Sequence, residues 1–324
     1  MSYSFLRESK LYIVYGGNKY RIYTSSAITF NQTFAEESYS VKTLHDQSKM
    51  FEGSSITKAN PASFSFDVPL TTEKDESIVL TLASDLSSNI LNSFDMYVQT
   101  GSSIFKLEGA IITSASFDFI PQNQFTMRVE GEGTKLTRAG DEDFDIDAAE
   151  SISSNAPFTI DSSSAEEFST RTPLLVYPTV TLIDQTPDPD VSKTMGNIIS
   201  VNVNIQNETT WTPYETLQDS LNSTTMFPSA HTVGKRIISG EIRQYQIDTN
   251  NSDDNVRQFD DFSTNTNLTI TAKNVSGDTD FFKIQINPAM YTARMQPGEV
   301  YTQSYDFRSL DNTDTVSTQI TEYI

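Results

Sequence analysis

The stretch that decides the fold covers residues 281–310 and reads FFKIQINPAMYTARMQPGEVYTQSYDFRSL. Apolar and polar residues alternate along 282–287 and again along 300–307, a period-two pattern typical of half-buried antiparallel strands. Residues 296–299 place proline and glycine for a tight turn, with a positive φ expected at Gly298. The stretch therefore predicts two long strands joined as a β-hairpin.

A shorter version of this pattern occurs early in the chain, where alternating residues 104–119 turn back into 125–129. Phe-Lys-Leu at 105–107 stands where Phe-Lys-Ile stands at 282–284. These echoes keep the same order, which predicts one β-domain present twice. Two further pairs of corresponding runs are Thr-Leu-His-Asp at 43–46 with Thr-Leu-Gln-Asp at 216–219, and the strand at 63–68 with the strand at 239–245.

Length and charge set the domain organisation. The 324 residues suit two domains of ordinary size. The net charge of −21 argues against ordinary nucleic-acid binding, which favours a basic surface. Residues 141–170 carry nine acidic side chains and no Lys or Arg, which predicts an extended or mobile linker. The predicted divisions are a first domain at 1–140, a linker at 141–170, a second domain at 171–310 and a C-terminal arm at 311–324.

Local patterns refine the fold class to all-β. Residues 10–15 and 19–23 flank Gly16 and Gly17 as a hairpin. Helix-compatible patches occur only at 83–91 and 254–262. We therefore predict two tandem β-sandwich domains, each with one short flanking helix.

Neither histidine has a partner at metal-ligand spacing, so His45 and His231 are interpreted as surface or loop residues. Trp211, which precedes a proline turn, is interpreted as a packed aromatic residue in preference to a ligand platform. One acidic run, Asp141, Asp143, Asp145 and Asp147, resembles the start of a calcium loop. Isoleucine occupies the positions where that loop needs glycine and glutamate, which favours a solvated linker.

Motifs that would support catalysis are missing from the sequence. There is no cysteine, and no nucleophile elbow, phosphate-binding loop or dinucleotide-binding glycine pattern. We expect no enzymatic activity, no cofactor and no metal. A hydrolase that uses paired carboxylates is the weakest of the alternatives.

The second half resembles the tail tube proteins of long-tailed bacteriophages. Residues 203–217 resemble their strand followed by Thr-Pro-x-x-Leu, and residues 234–240 resemble their Gly-x-Arg-x-x-Ser-Gly segment. Residues 282–310 resemble their closing hairpin, and residues 105–138 resemble the equivalent hairpin in the first half. The resemblance covers most of 1–140 and 171–310.

This resemblance implies inner sheets that join around a ring into a continuous β-barrel. Two tandem domains would give a trimeric ring with pseudo-six-fold symmetry, and stacked rings would form the tube through which the genome leaves the capsid. The implied location is the virion tail, after synthesis in the host cytoplasm. The implied partners are other copies of the chain, the tail terminator, the tape measure protein, and baseplate or tail tip proteins. Genomic DNA would pass without specific binding, and no membrane is involved.

Two alternatives remain open at this stage. One is the inner tube of a contractile tail or injection device, for which a sheath would be a further partner. The other is a virion surface β-sandwich that binds a receptor or carbohydrate, which exposed aromatics such as Trp211 or Tyr245 lining a groove would favour.

Two sets of site residues follow. If the tube wall is acidic, duplex DNA is repelled and finds no place to adhere. The candidates for the lumen are Ser114, Ser116, Asp118, Glu130 and Glu132, with Glu299, Gln303 and Asp306 as weaker ones. We also expect long loops at 50–61 and 226–236 to contact the neighbouring ring. The candidates in these loops are Phe51, Gly53, Lys58, Phe227, His231 and Lys235.

Overall fold

The structure is a computed structural model and is built predominantly from β-strands. The residues that it describes are 9–42, 50–70, 76–84, 86–87, 90–101, 103–121, 123–141, 143–152, 178–184, 191–211, 226–246, 266–273, 280–286, 288–309 and 320–323.

The elements follow one another along the chain with short connections in the described part. Those of the first half are β1 (Lys10–Tyr15), β2 (Asn18–Ile22), β3 (Thr29–Asn31), β4 (Phe34–Lys42), β5 (Met50–Ala59), β6 (Ala62–Pro69), α1 (Ser77–Ser84), β7 (Leu86–Ser87), β8 (Ile90–Leu91), β9 (Phe94–Thr100), β10 (Ser103–Phe119), β11 (Thr126–Gly133), β12 (Lys135–Asp141) and α2 (Ile146–Ala149). Those of the second half are β13 (Pro178–Asp184), β14 (Val191–Met195), β15 (Ile198–Trp211), β16 (His231–Tyr245), β17 (Thr266–Lys273), β18 (Asp280–Ile286), β19 (Pro288–Gln296), β20 (Thr302–Ser309) and β21 (Ile320–Tyr323).

The predicted all-β class is confirmed. The first hairpin is also confirmed: β1 pairs with β2, and Gly16 and Gly17 at its turn have φ of 60° and 77°. No helix in the described ranges has the length and apolarity needed to cross a membrane.

The long strand β10 holds the first half together because it belongs to two layers. Its first part pairs with β9 and β12, and its second part pairs with β11 and β15. The change of partners falls between Glu108, the last residue paired with β12, and Ile111, the first residue paired with β11. The two layers enclose the main core, in which Phe66, Phe117 and Met127 are almost fully buried. We call the layer that contains β11 and β15 the inner sheet.

The inner sheet runs through both halves of the chain. Its strand order is β3-β6-β11-β10-β15-β16-β20-β19. The pairing of β10 with β15 joins the halves, with Ser116 opposite Asn204 and Phe117 opposite Val203. Phe117 and Val203 are fully buried, so this internal junction is as well packed as the core itself.

The order of strand pairing recurs in the second half. In the first half the outer layer pairs β2-β1-β9-β10-β12, and in the second half it pairs β14-β13-β17-β18-β21. The inner-sheet order β3-β6-β11-β10 is matched by β15-β16-β20-β19. In the second half, two strands make the pairings that β10 makes alone: β18 pairs in the outer layer and β19 pairs in the inner sheet. The chain changes sheets between Ile286 and Pro288.

This change of sheets corrects the prediction for 281–310. Residues 282–286 pair with β17 and β21, and the partner of β20 is β19. The connection covers 297–301, where Gly298 does not have the expected positive φ. The first helix is also displaced, since α1 is Ser77–Ser84 and the predicted patch began at 83. The second patch, at 254–262, lies outside the described residues.

Candidate functional site

The inner sheet has one apolar face and one polar face. Along β10, Ala115, Phe117 and Phe119 are buried in the core, whereas Ser114, Ser116 and Asp118 point to the other side. Strand alternation then places Glu130 and Arg128 of β11, and Asn202 and Asn204 of β15, on that same side. Ser114, Ser116, Arg128, Glu130, Asn202 and Asn204 line one shallow groove. We call this side of the sheet the polar face.

Two ion pairs and one hydrogen bond to a carboxylate lie on the polar face. Arg128 Nη2 lies 3.2 Å from Glu130 Oε1, and Arg294 Nη2 lies 2.7 Å from Asp306 Oδ2. Asn202 Nδ2 donates to Asp118 Oδ1 at 2.6 Å. The face therefore combines both signs of charge and is not uniformly acidic.

Glu132 lies on the same side but serves a structural purpose. Its Oε2 accepts hydrogen bonds from Trp211 Nε1 at 2.7 Å and Thr209 Oγ1 at 3.1 Å. The indole packs against buried Leu91, Ile111 and Val233, so Trp211 is a packed aromatic as predicted. This arrangement removes the support for a carbohydrate platform at Trp211.

The weaker lumen candidates separate into three different positions. Asp306 lies on the polar face, and Glu299 lies in the connection at 297–301. The prediction for Gln303 is wrong, because its side chain is buried on the core side. Its Oε1 accepts hydrogen bonds from Tyr305 Oη at 2.8 Å and Gln244 Nε2 at 2.9 Å.

The predicted inter-ring loops are mostly strands. Phe51, Gly53 and Lys58 belong to β5, which pairs along its length with β4 as a two-stranded hairpin. His231 and Lys235 belong to β16. Residues 43–49, with His45, and residues 212–225 lie outside the described residues.

Two of these candidates make specific contacts. Phe227 lies in the connection before β16, and its ring lies edge-on to Phe34, with centroids 6.5 Å apart. His231 is half-buried and is not a surface histidine: its Nε2 accepts the Leu91 amide at 3.2 Å. Burial lowers the pKa of His231, so the ring is neutral at pH 7.

A buried arginine ties the two halves together at their junction. Arg236 of β16 donates from Nη1 to Ser84 O at 2.8 Å, from Nη2 to Ala83 O at 3.1 Å, and from Nε to Asn207 Oδ1 at 2.5 Å. It thereby caps carbonyls in the last turn of α1, for which the helix itself supplies no amide partner. Alternation along β16 indicates that Arg236 is buried, because it lies on the same side of the strand as the core residues Ile238 and Ile242.

The acidic segment after β12 is packed, at least in residues 143–152. Asp145 caps α2 by accepting the amides of Asp147 and Ala148, and Asp147 pairs with Lys19 at 2.5 Å. Ile146 covers an apolar cluster on the outer layer that includes Tyr12, Val14, Tyr97 and Ile104. The expectation of an extended linker is wrong for these residues, and the aspartates act as a helix cap and an ion-pair partner. We call residues 143–152 the strap.

An ionic cluster holds the far end of the strap. Lys106 Nζ lies 2.6 Å from Glu150 Oε1 and 2.8 Å from Asp95 Oδ2, and Tyr97 donates to Glu150. Burial opposes ionisation of Glu150, but hydrogen bonds from Lys106 and Tyr97 outweigh it and lower its pKa. Burial and the bond to Glu150 raise the pKa of Tyr97. The cluster stabilises the charged forms of both Lys106 and Glu150. Within the described ranges, no group of His, Asp and Glu side chains is arranged to hold a metal ion.

The strap should therefore be held by an acid-sensitive contact. Because its pKa is lowered by folding, Glu150 contributes stability above the ordinary glutamate pKa of about 4.3, and this is lost as the pH falls through the folded value. We expect Glu150→Gln to lower the free energy of strap opening by about 1–2 kcal/mol at pH 7. Hydrogen exchange of the Ala149 and Glu150 amides measures this opening. The difference between variant and wild type should shrink below about pH 4, and a difference independent of pH would contradict the assignment.

Residues 1–103 match the model of the Bacteriophage Baseplate Tube Protein Family. No curated protein matches the chain. The matched region runs from the N-terminus to the first residue of β10 and so covers most of the first-half elements. The match supports a structural tube component of a bacteriophage virion.

Proposed function

We propose that this chain is a tube-forming virion protein whose copies join edge to edge into rings, and that the rings stack into a conduit for phage DNA. The resemblance to tail tube proteins and the match to a baseplate tube family support this function. The recurrence of strand pairing supports two tandem copies of one domain.

One observation carries the proposal: within the described residues, the inner sheet ends in two edges without a partner strand, and these edges resemble its own internal junction. β19 stands where β10 stands, and β3 stands where β15 stands. Met295 occupies the position of Phe117, yet it is 45% exposed whereas Phe117 is fully buried. An apolar side chain left open at a strand edge favours addition of another strand. The occupant that fits is β3 of a second copy.

The internal junction also predicts the register of this contact. Asp118 pairs with Asn202 in the chain, and the equivalent positions at the open edges are Gln296 and Thr29. We therefore place Gln296 opposite Thr29 of the next copy. Since each chain supplies two domains, three chains would close a ring with pseudo-six-fold symmetry.

Cysteine cross-linking tests this contact, because the chain has no cysteine of its own. Gln296→Cys and Thr29→Cys change two exposed side chains in one chain. We expect a short thiol cross-linker to connect neighbouring copies in assembled material, and the ladder on a denaturing gel to end at three chains. Negative-stain microscopy of the same sample should show rings or hollow tubes.

Two matched variants control the experiment. Asp118→Cys with Asn202→Cys places the same pair at the internal junction, so it should cross-link within one chain. Gln296→Cys with Asn31→Cys shifts the register by two residues and should react poorly. Equal reaction of the shifted pair would contradict the proposed register, and absence of tubes would contradict the function.

A second candidate is a short tube segment within the baseplate, which the matched family favours over a full-length tail tube. Both assignments use the same ring. They differ in the number of copies per virion, because a full tail tube needs many more rings than a baseplate segment. Quantitative mass spectrometry of purified virions, with the capsid protein as reference, separates them.

A further inference from the structure

The polar face carries opposite charges at equivalent positions of the two halves. Glu130 and Asp306 are equivalent, since each pairs with the first residue after the register shift in the adjacent strand, Ser114 of β10 and Thr292 of β19. With Glu130 aligned to Asp306, the strand pairings identify the other equivalent positions of the two halves.

Two of these positions reverse sign. Asp67 of β6 corresponds to Arg243 of β16, and Glu132 of β11 corresponds to Arg308 of β20. A third acid, Asp118, corresponds to the neutral Gln296. Each half keeps an arginine beside the common carboxylate, but on different strands, as Arg128 of β11 and Arg294 of β19.

The halves thus form two sectors of the polar face. Among the described residues, the acidic sector holds Asp67, Asp118, Glu130 and Glu132 with one cation, Arg128. The basic sector holds four cations, Lys235, Arg243, Arg294 and Arg308, with three acids, Glu208, Glu241 and Asp306. Carboxylates outnumber cations in the first sector, and the reverse holds in the second.

We propose that the bore alternates between acidic and basic sectors, so that duplex DNA meets arginines only in narrow stripes flanked by carboxylates. This rests on the proposed function, in which the polar face lines the tube. Arg243 lies two residues from Glu241 along β16, so a phosphate that approaches it also stays within the screening length of about 8–10 Å of a carboxylate. The stripes attract phosphate, and the acidic sectors keep a duplex from being held around its whole circumference.

The second half supplies the template for testing the alternation. Asp67→Arg gives the acidic sector the residue that Arg243 provides in the basic one, and Asp118→Gln, which copies Gln296, is a milder change in the same sector. Arg243→Asp makes the opposite change. Asp143→Arg on the strap alters charge by the same amount as Asp67→Arg at an exposed position over the outer layer.

The measurement is retention of a 30-base-pair duplex by assembled tubes at 50 and 200 mM salt. We expect Asp67→Arg tubes to retain more duplex. The ratio of duplex affinity at 50 mM salt to that at 200 mM salt should rise about 3–4-fold for each added phosphate contact. Asp118→Gln should act in the same direction, and Arg243→Asp should reduce retention below wild type. Asp143→Arg should match wild type.

The outcomes separate this proposal from the one on which it rests. If wild-type chains form no tubes, the proposed function fails. If tubes form and Asp67→Arg behaves like Asp143→Arg, the sectors do not face the bore and the alternation is wrong. If Asp67→Arg does not assemble, Asp118→Gln decides: unchanged retention overturns the proposal, and increased retention supports it.

Discussion

Arg236→Met is expected to lower the free energy of unfolding by about 3–5 kcal/mol, because each buried acceptor left unsatisfied costs about 1–3 kcal/mol. The substitution preserves much of the side-chain volume but removes donors to Ser84 O, Ala83 O and Asn207 Oδ1. These acceptors lie at a junction where Arg236 is only 5% exposed, so water cannot readily replace the guanidinium. Urea unfolding followed by circular dichroism measures the loss.

The neighbouring residue provides the control for this variant. Lys235 is exposed on the same strand, and Lys235→Met should change stability by no more than about 0.5 kcal/mol. Because Arg236 reaches from the second half to a helix of the first, its loss should also increase hydrogen exchange along β15. A stability loss under about 1 kcal/mol for Arg236→Met would mean that the α1 carbonyls are satisfied in another way.

Gly131→Ala is the second large effect, with an expected loss of about 3 kcal/mol or more. A Cβ on Gly131 would lie 2.2 Å from the ring of Phe64 and 2.3 Å from the carbonyl oxygen of Ile111. A ring can rotate, but a strand carbonyl inside the sheet cannot move without disturbing the ladder. Thermal unfolding should therefore show a clear drop in Tm.

Another glycine and a reciprocal exchange sharpen this test. A Cβ on Gly234 would meet only one atom within 4 Å, at 3.9 Å, so Gly234→Ala should be nearly neutral.

In the second half the same cross-strand pair is reversed, with Gly240 opposite Phe307. We expect Phe64→Gly combined with Gly131→Phe to be at least about 1 kcal/mol more stable than the two single effects would sum to. Strict additivity would contradict the pairing.

Alternation along the sequence predicted which faces are polar but not which strands are partners. Ser114, Ser116 and Asp118 share a face because side chains alternate along any strand, whatever lies beside it. Residues before and after the change of sheets between Ile286 and Pro288 both alternate, so the sequence pattern predicts one continuous strand there. Pairing depends on residues far apart in the chain, and local pattern does not reveal it.

Composition misled the prediction wherever a distant partner decided the outcome. The strap is acidic, which suggested a solvated linker, but Lys106 and Tyr97 lie on strands that precede it by many residues. The sequence predicts an exposed Gln303 because it does not reveal the two buried partners of this side chain. These partners are Gln244 on β16 and Tyr305 on β20, the strand of Gln303 itself. Polar side chains are buried when their hydrogen bonds are met, and those bonds are long-range here.

The exchange of glycine and phenylalanine between the halves affects how relatives of this chain can be recognised. Phe64 with Gly131, and Gly240 with Phe307, fill the same space with the same two residue types. An aligned comparison of the halves scores two mismatches at these positions, although the contact is preserved. Arginine and serine are exchanged in the same way between Ser116 with Arg128 and Arg294 with Ser304. A search that scores cross-strand pairs of positions together would detect relationships that a comparison of single aligned positions misses.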